Sequence, residues 1–312
     1  MGDRLKGKNA IVTGAGRGVF KQVAVAVAAE GARVLVVDPG AARGGDGSDR
    51  APAEEVAQEI KSKGGEATAC YESVAEFDTA EKIIKTCVDT YGKLDILING
   101  AGVLRERMVF NMSEDDWDTV VTVHLKGTFN MCRHASVVMR EQKYGRIVNC
   151  TSDAYRWGSV GQCNYAAAKG GIVSFSRSIA RELGRYGITS NVIAPMAATR
   201  MTLDEGVISG MKKRFEKGLI TKELYEEVIN MPGPEFVAPM VVYLVLDDAA
   251  NINGQVFGAG GGRIARYSWP EDVTAIFKDN EKDGPWRIED IIRLAPKTLL
   301  TGYVNPAPPP DK

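Results

Sequence analysis

Histidine is scarce: His124 and His134 are the only two in 312 residues, and no two cysteines fall at C-x-x-C spacing. No metal site is therefore expected, because zinc and similar ions need several such ligands close together. The five cysteines (Cys70, Cys87, Cys132, Cys150, Cys163) are an odd number without a framework spacing. They predict reduced thiols in a cytoplasmic protein. An excess of one charge is also lacking. The balance of 39 basic against 40 acidic residues leaves −1, which excludes the electrostatic footprint of a nucleic-acid binder. No apolar run approaches the roughly 18 residues of a membrane span. The basic start, MGDRLKGKNAIVTG, has no apolar signal region. What remains is ordinary globular composition, 44% hydrophobic and 25% charged, with length for one large domain or two small ones.

Short β-type runs alternate with longer helical patterns. Strands are expected at Asn9–Val12, Arg33–Val37, Ala67–Cys70, Leu94–Ile98, Arg146–Cys150, Ser190–Ala194 and Gln255–Phe257. Helices are expected at Gly18–Glu30, Pro52–Lys63, Asp78–Tyr91, Glu114–Gln142, Gly161–Tyr186 and Glu235–Leu246. Alternating β and α with Val/Ile-rich strands predicts an α/β fold, a parallel sheet covered on both faces. The glycine-rich stretch after Asp38 (residues 39–48) reads as a long mobile loop.

The chemistry gathers in Cys150 to Lys169, CTSDAYRWGSVGQCNYAAAK. Tyr165 and Lys169 lie four apart in a proline-free helical run, so they share a face. A free phenol has a pKa of about 10, and a neighbouring ammonium favours its ionised form. A tyrosine tuned downward in this way exchanges protons with an alcohol or a carbonyl. One Tyr-x-x-x-Lys pair is close to what chance provides in this composition, so context matters. Ser152 follows the strand-like Arg146–Cys150, where its hydroxyl would hold a substrate oxygen against Tyr165.

The first β-α turn, Thr13 to Phe20 (TGAGRGVF), supplies the other half of a reaction. Its glycines would let backbone N–H groups approach a pyrophosphate at a helix start. Twenty residues beyond Gly18, Asp38 ends the second strand. A carboxylate there would accept from a ribose diol and repel a 2′-phosphate, favouring NAD over NADP. Asn99-Gly100-Ala101-Gly102 ends the fourth strand and borders the same crevice, or is simply a tight turn. Pro195 braces a nicotinamide, or only stops the sixth strand.

Residues 196–234 change character and sit where a lid would. Lys212, Lys213, Arg214 and Lys217 would meet an anionic substrate tail, or form a solvated helix face. Residues 263–312 form a C-terminal extension with enough apolar residues, Trp269 and Ile288 among them, to pack on the body or on a neighbouring subunit. Its end, Asn305 to Pro310, is too proline-rich for a helix.

These motifs in this order resemble the short-chain dehydrogenase/reductase family over roughly residues 5–262. LINGAGVLRERMVFNMSEDDWDTVVTVHLKGTF, QKYGRIV, GQCNYAAAK and IAPMAATRMT are similar to one branch, the (R)-3-hydroxyacyl-CoA dehydrogenase domain of peroxisomal multifunctional enzyme and its bacterial relatives. The resemblance implies a Rossmann-type doubly wound, seven-stranded parallel sheet in residues 1–262, in a homodimer or homotetramer. It implies Tyr165 as general acid/base, Ser152 as substrate-orienting hydroxyl and Lys169 as the ammonium that lowers the phenol's pKa and binds the ribose. His124 stands where many members carry a relay asparagine, as it does in the hydroxyacyl-CoA branch. NAD would lie along Gly14, Arg17, Gly18, Val19, Asp38, Ser73, Val74, Asn99, Ala101, Gly102, Tyr165, Lys169, Pro195, Ala198 and Thr199. Two other positions depart from the family. Phe20 replaces the third glycine of the turn, and its ring must point away or push the helix out. Gly100 replaces a second asparagine whose amide would brace the strands. The expected function is NAD-dependent oxidation of a secondary alcohol, a 3-hydroxyacyl thioester or another bulky alcohol such as a steroid or alicyclic one. A dinucleotide-binding sensor without turnover is the alternative from another class.

Overall fold

The computed structural model describes residues 2–198, 205–218, 220–283, 285–302 and 304. Two compact units divide the chain, Met1–Tyr267 and Ser268–Lys312. The first half of the larger unit runs β1 (Asn9–Thr13), α1 (Gly18–Ala29), β2 (Arg33–Val37), α2 (Ala51–Ser62), β3 (Glu66–Cys70), α3 (Phe77–Tyr91), β4 (Ile96–Asn99), α4 (Glu114–Val121) and α5 (Gly127–Gln142). It continues through β5 (Gly145–Cys150), the single turn α6 (Ala154–Trp157), α7 (Cys163–Leu183), β6 (Ile188–Pro195), α8 (Glu205–Glu216), α9 (Lys222–Ile229), α10 (Ala238–Val245), β7 (Val256–Gly260) and β8 (Arg263–Arg266).

The strand order is β3-β2-β1-β4-β5-β6-β7-β8, and β1 to β7 are parallel. Alternate strand residues feed two apolar layers. Val12, Val34, Ile98 and Val148 pack under α1, α2 and α10, while Ile11, Leu35, Leu97 and Ile147 pack under α3, α5 and α7. Both faces are covered, so β1, β4 and β5 are buried along their whole length. Each fully buried Leu or Ile contributes about 1.5–3 kcal/mol.

Three expectations need correction. The sheet has eight strands rather than seven: β8 turns back at Gly261, φ +57°, and pairs antiparallel with β7. Its sequence, RIAR, is mostly exposed, so it lacks the apolar run that marks a buried parallel strand. The pattern over residues 114–142 is not one α-helix. It is α4, a π-turn at Thr122–Lys126, and α5. The widened turn slips the helical period without interrupting it. The insert after Asp38 is not a free loop. It is pinned by several hydrogen bonds, among them Asp49 N–H to Pro39 O (2.9 Å) and Leu104 N–H to Arg43 O (2.9 Å).

The smaller unit contains two short helices, α11 (Asn280–Asp283) and α12 (Ile288–Leu294). Lys278 lies over the Trp286 ring at 5.2 Å, and Ile288 and Ile292 are exposed. The proline-rich ending lies outside the described residues.

Candidate active site

The start of α7 is held by a residue that motif reading passes over. Asn164 is buried, its Nδ2 donates to Arg105 O (3.0 Å) and Asp116 O (2.9 Å), and its Oδ1 accepts from the Tyr165 N–H (2.8 Å). No local sequence signal announced this role, because both carbonyl partners lie far away in the chain. One turn on, buried Lys169 donates from Nζ to Cys150 O (2.9 Å), and its carbonyl accepts from Thr151 Oγ1 (2.9 Å). These bonds tie the end of β5 to α7. The Lys169 ammonium lies 5.4 Å from the Tyr165 ring centroid. Ser152 lies just past β5, and its Oγ accepts from Ala154 N–H (3.3 Å).

His124 joins this cluster through the π-turn. Its ring meets that of Tyr165 edge-on, 5.1 Å between centroids. Nε2 contacts both the carbonyl (2.8 Å) and the N–H (3.1 Å) of Val103, while buried Nδ1 has no partner. Close packing brings the turn to α7: a side chain at Gly171 would meet Leu125 at 2.8 Å.

The electrostatics differ from expectation in one respect. Burial is the largest influence on Tyr165 and holds its phenol above the ordinary value. Lys169 pulls downward as expected, with help from the Ser152 hydroxyl, but does not overcome burial. Burial, and then the Lys169 charge, hold His124 well below the usual imidazole range. At neutral pH His124 is therefore an uncharged hydrogen-bonding group, not an acid.

The glycine-rich turn approaches the end of β4 closely. A side chain at Gly14 would meet Gly100 O and Ala101 Cα at 2.7 Å. Thr13 Oγ1 accepts the N–H groups of Gly100 (3.0 Å) and Ala101 (3.3 Å). Gly14 and Gly18 have positive φ, +65° and +60°. Asp38 sits at the end of β2, its two oxygens accepting from Gly16 N–H (2.8 Å) and Gly40 N–H (2.7 Å). Each oxygen keeps a lone pair for a further donor. Arg17 is exposed and Val19 half-buried at the start of α1, whose first turn has no acid to oppose an anion.

Gly100 and Phe20 explain each other. A Cβ at position 100 would lie 2.1 Å from Phe20 Cγ. The buried phenyl thus occupies the place of the missing side chain. The strand brace attributed to that side chain comes instead from Asn99, whose Nδ2 donates to Asn149 Oδ1 (2.8 Å). Asn149 Nδ2 in turn donates to Ser176 Oγ on α7 (2.8 Å).

Ser73 and Val74 follow β3, and Val74 O accepts from Asn130 Nδ2 (2.9 Å). A side chain at Gly102 would strike the His124 ring at 2.3 Å. Pro195 ends β6, and Ala198 N–H donates to Pro232 O (2.7 Å). Thr199 lies outside the described residues. Lys212, Lys213, Arg214 and Lys217 are all exposed, and Lys212 Nζ is 4.0 Å from Glu216. A polar groove of about 470 Å³, lined by Arg43, Asp46, Arg105, Glu106 and Asp115 among others, lies between the insert and the segment after β4. Among the described residues no cluster of His, Cys, Asp and Glu is placed to hold a metal ion.

A doubly wound parallel sheet, a glycine turn at its first crossover and a hydroxyl–phenol–ammonium cluster at its centre define an oxidoreductase of the dinucleotide-binding class. The chain belongs to the short chain dehydrogenase family, whose sequence model matches residues 8–206. It is similar to a peroxisomal hydratase-dehydrogenase-epimerase of Neurospora crassa, 38% identical over 98% of this chain. It spans only 31% of that relative's length. The hydroxyacyl-CoA dehydrogenase ChsB1 of Mycobacterium tuberculosis is 38% identical, over 93% of this chain and 88% of its own. A crystal structure of a short chain dehydrogenase from Mycobacterium avium has 38% identity and a TM-score of 0.78, covering 98% of both chains. Family and fold support a dehydrogenase.

Proposed function

We propose that this protein is an NAD-dependent dehydrogenase of 3-hydroxyacyl thioesters, with Tyr165 as its proton-transferring residue. The observation that carries this reading is the Lys169 ammonium 5.4 Å from the Tyr165 ring, tied by its Nζ to Cys150 O at the end of β5, two residues before Ser152. The thioester class is carried by the named relatives: one is a hydroxyacyl-CoA dehydrogenase, another a hydratase-dehydrogenase-epimerase.

The residues fit a dinucleotide. Gly14 leaves no room for a side chain beside Ala101, and Asp38 lies next to Gly16 with acceptor capacity to spare. The glycine turn, Asp38, Asn99 and Lys169 would hold it. Asp38 favours NAD, since a carboxylate repels a 2′-phosphate. When bound, the nicotinamide supplies the hydride acceptor for oxidation and the donor for reduction.

The protein handles the proton. Ser152 Oγ orients the substrate oxygen against Tyr165. In oxidation the phenolate takes the hydroxyl proton, and Lys169 stabilises the negative charge while it exists. In reduction the phenol returns the proton to the ketone oxygen. Neutral His124, packed edge-on against Tyr165, fixes the ring's position.

Our reading extends to the setting. All five cysteines are unpaired, four of them buried, which fits a reducing compartment such as the cytoplasm. Exposed Phe129 and Val137 on α5 support a homodimer or homotetramer. The test is NADH formation from a panel of 3-hydroxyacyl-CoA, steroid and alicyclic alcohols, using the wild type and Tyr165→Phe. Turnover of small polyols alone, or a Tyr165→Phe protein at the wild-type rate, refutes the reading. Dinucleotide binding with no turnover on the whole panel indicates a sensor.

A further inference from the structure

The insert after Asp38 is anchored at both ends of the candidate site. At its neck, Asp38 accepts from Gly40 N–H, and Asp49 pairs with Arg17 of the glycine turn at 3.8 Å. At its tip, Arg43 Nη2 donates to Glu106 Oε2 at 2.8 Å, and Arg105 Nε donates to Gly44 O at 2.9 Å. The other oxygen of Glu106 accepts from Gln162 Nε2 at 2.6 Å. Gln162 is the residue that immediately precedes α7, three before Tyr165. Backbone bonds run alongside, from Arg107 N–H to Gly161 O at 2.8 Å.

One carboxylate therefore joins two segments that are 119 residues apart by number, Arg43 and Gln162. One of its oxygens serves each. Aspartate is a methylene shorter and would not span both partners. Glutamine keeps an acceptor for Gln162 and loses the charge that holds Arg43. Neighbouring Arg105 holds the insert through Asp46 and meets α7 only by its backbone carbonyl, which accepts from Asn164 Nδ2, so Glu106 is the side chain that bonds both.

We propose that Glu106 is a positioning residue that couples dinucleotide engagement at the Asp38 insert to alignment of Tyr165. The proposal rests on the reading of this crevice as a dinucleotide site. A ligand that further steadies the pinned residues 38–50 then also tightens the start of α7 through Glu106. Tyr165 keeps its working position only while the insert stays bonded to the segment after β4.

The test compares Glu106→Ala, Glu106→Gln, Arg43→Ala, Gln162→Ala and the double variants Arg43→Ala/Gln162→Ala, Glu106→Ala/Arg43→Ala and Glu106→Ala/Gln162→Ala. Glu106→Ala is expected to lower kcat about tenfold, as small misplacements of a catalytic group do. It is also expected to weaken NADH binding, read by fluorescence, with an unchanged melting temperature. In the Glu106→Ala background, Arg43→Ala and Gln162→Ala should each add less than about twofold, because their shared partner is gone. Glu106→Gln should keep the Gln162 contact and show the Arg43→Ala phenotype. In the unliganded protein, hydrogen exchange in Glu106→Ala should rise both in residues 39–50 and in residues 161–165. The proposal is overturned if the Arg43→Ala and Gln162→Ala effects multiply fully in the double variant, or if exchange at 161–165 does not respond to Glu106→Ala. A wild type that binds no dinucleotide defeats the reading of the crevice, while the exchange measurement still decides whether Glu106 joins the two segments.

Discussion

At the corner where Tyr165 and Lys169 share a face of α7 beside the end of β5, the motif residues Ser152, Tyr165 and Lys169 are all present in the sequence. At the turn between β1 and α1 and the end of β4, two positions depart, Phe20 and Gly100. The contacts at that corner are charge and hydrogen bonds, and the one change of residue type there, His124, keeps a polar side chain. The turn works through volume, and volume can be redistributed: the Phe20 ring fills the place of the side chain that Gly100 lacks. Departures that look like two defects when read singly are one accommodation.

The largest expected effect tests the chemical side of this contrast. Tyr165→Phe should reduce kcat about 10³-fold, roughly 4 kcal/mol of barrier, with an unchanged melting temperature. Equal loss of activity and of fold would instead make Tyr165 a packing residue.

The volume side comes next. Gly100→Asn should destabilise by about 3 kcal/mol in denaturant unfolding, since its Cβ overlaps the Phe20 ring. Phe20→Gly alone should cost about as much through the cavity it leaves. The double variant should cost at least about 1 kcal/mol less than the sum. Simple additivity of the two would break the idea that they form a pair.

Lys169→Met sharpens the electrostatic half. Oxidation needs the phenolate, so its rate rises with pH through the Tyr165 pKa, and reduction falls there. Burial raises that pKa and Lys169 lowers it. Removing the ammonium should therefore move the rising limb of kcat for oxidation to higher pH. A limb that stays in place would show that Lys169 does not tune the phenol.

The smallest effect concerns His124. Its folded pKa is depressed by burial and by Lys169. Below about pH 6.5 the unfolded imidazole binds a proton that the folded one refuses. Stability from this source is complete above that pH and is lost as pH falls toward the folded value. The slope is at most about 1.4 kcal/mol per pH unit. His124→Gln should flatten the stability curve between pH 6.5 and 5, measured by urea midpoints.

Much of this arrangement is visible in the primary structure because it is local. The Tyr165–Lys169 spacing puts both side chains on one helical face. Val/Ile runs broken by helical patterns lead to the parallel sheet, and their limits were close to those observed. Long-range features were hidden. The Asn99–Asn149–Ser176 ladder joins three elements, and nothing in each residue's neighbourhood announces its partner. Asn164 works through two backbone carbonyls distant in sequence. β8 escaped because an exposed edge strand needs no apolar pattern.

The order of residues alone determined the alternation of elements, the family motifs and the shared face of the phenol and ammonium, since these depend on periods of two and 3.6 residues. Only the tertiary structure decided the direction of the Tyr165 pKa, the fit of Phe20 to Gly100 and the anchoring of the insert at Glu106. Each of those depends on how deeply a group is buried and on which distant atoms surround it, quantities that exist only once the chain has packed.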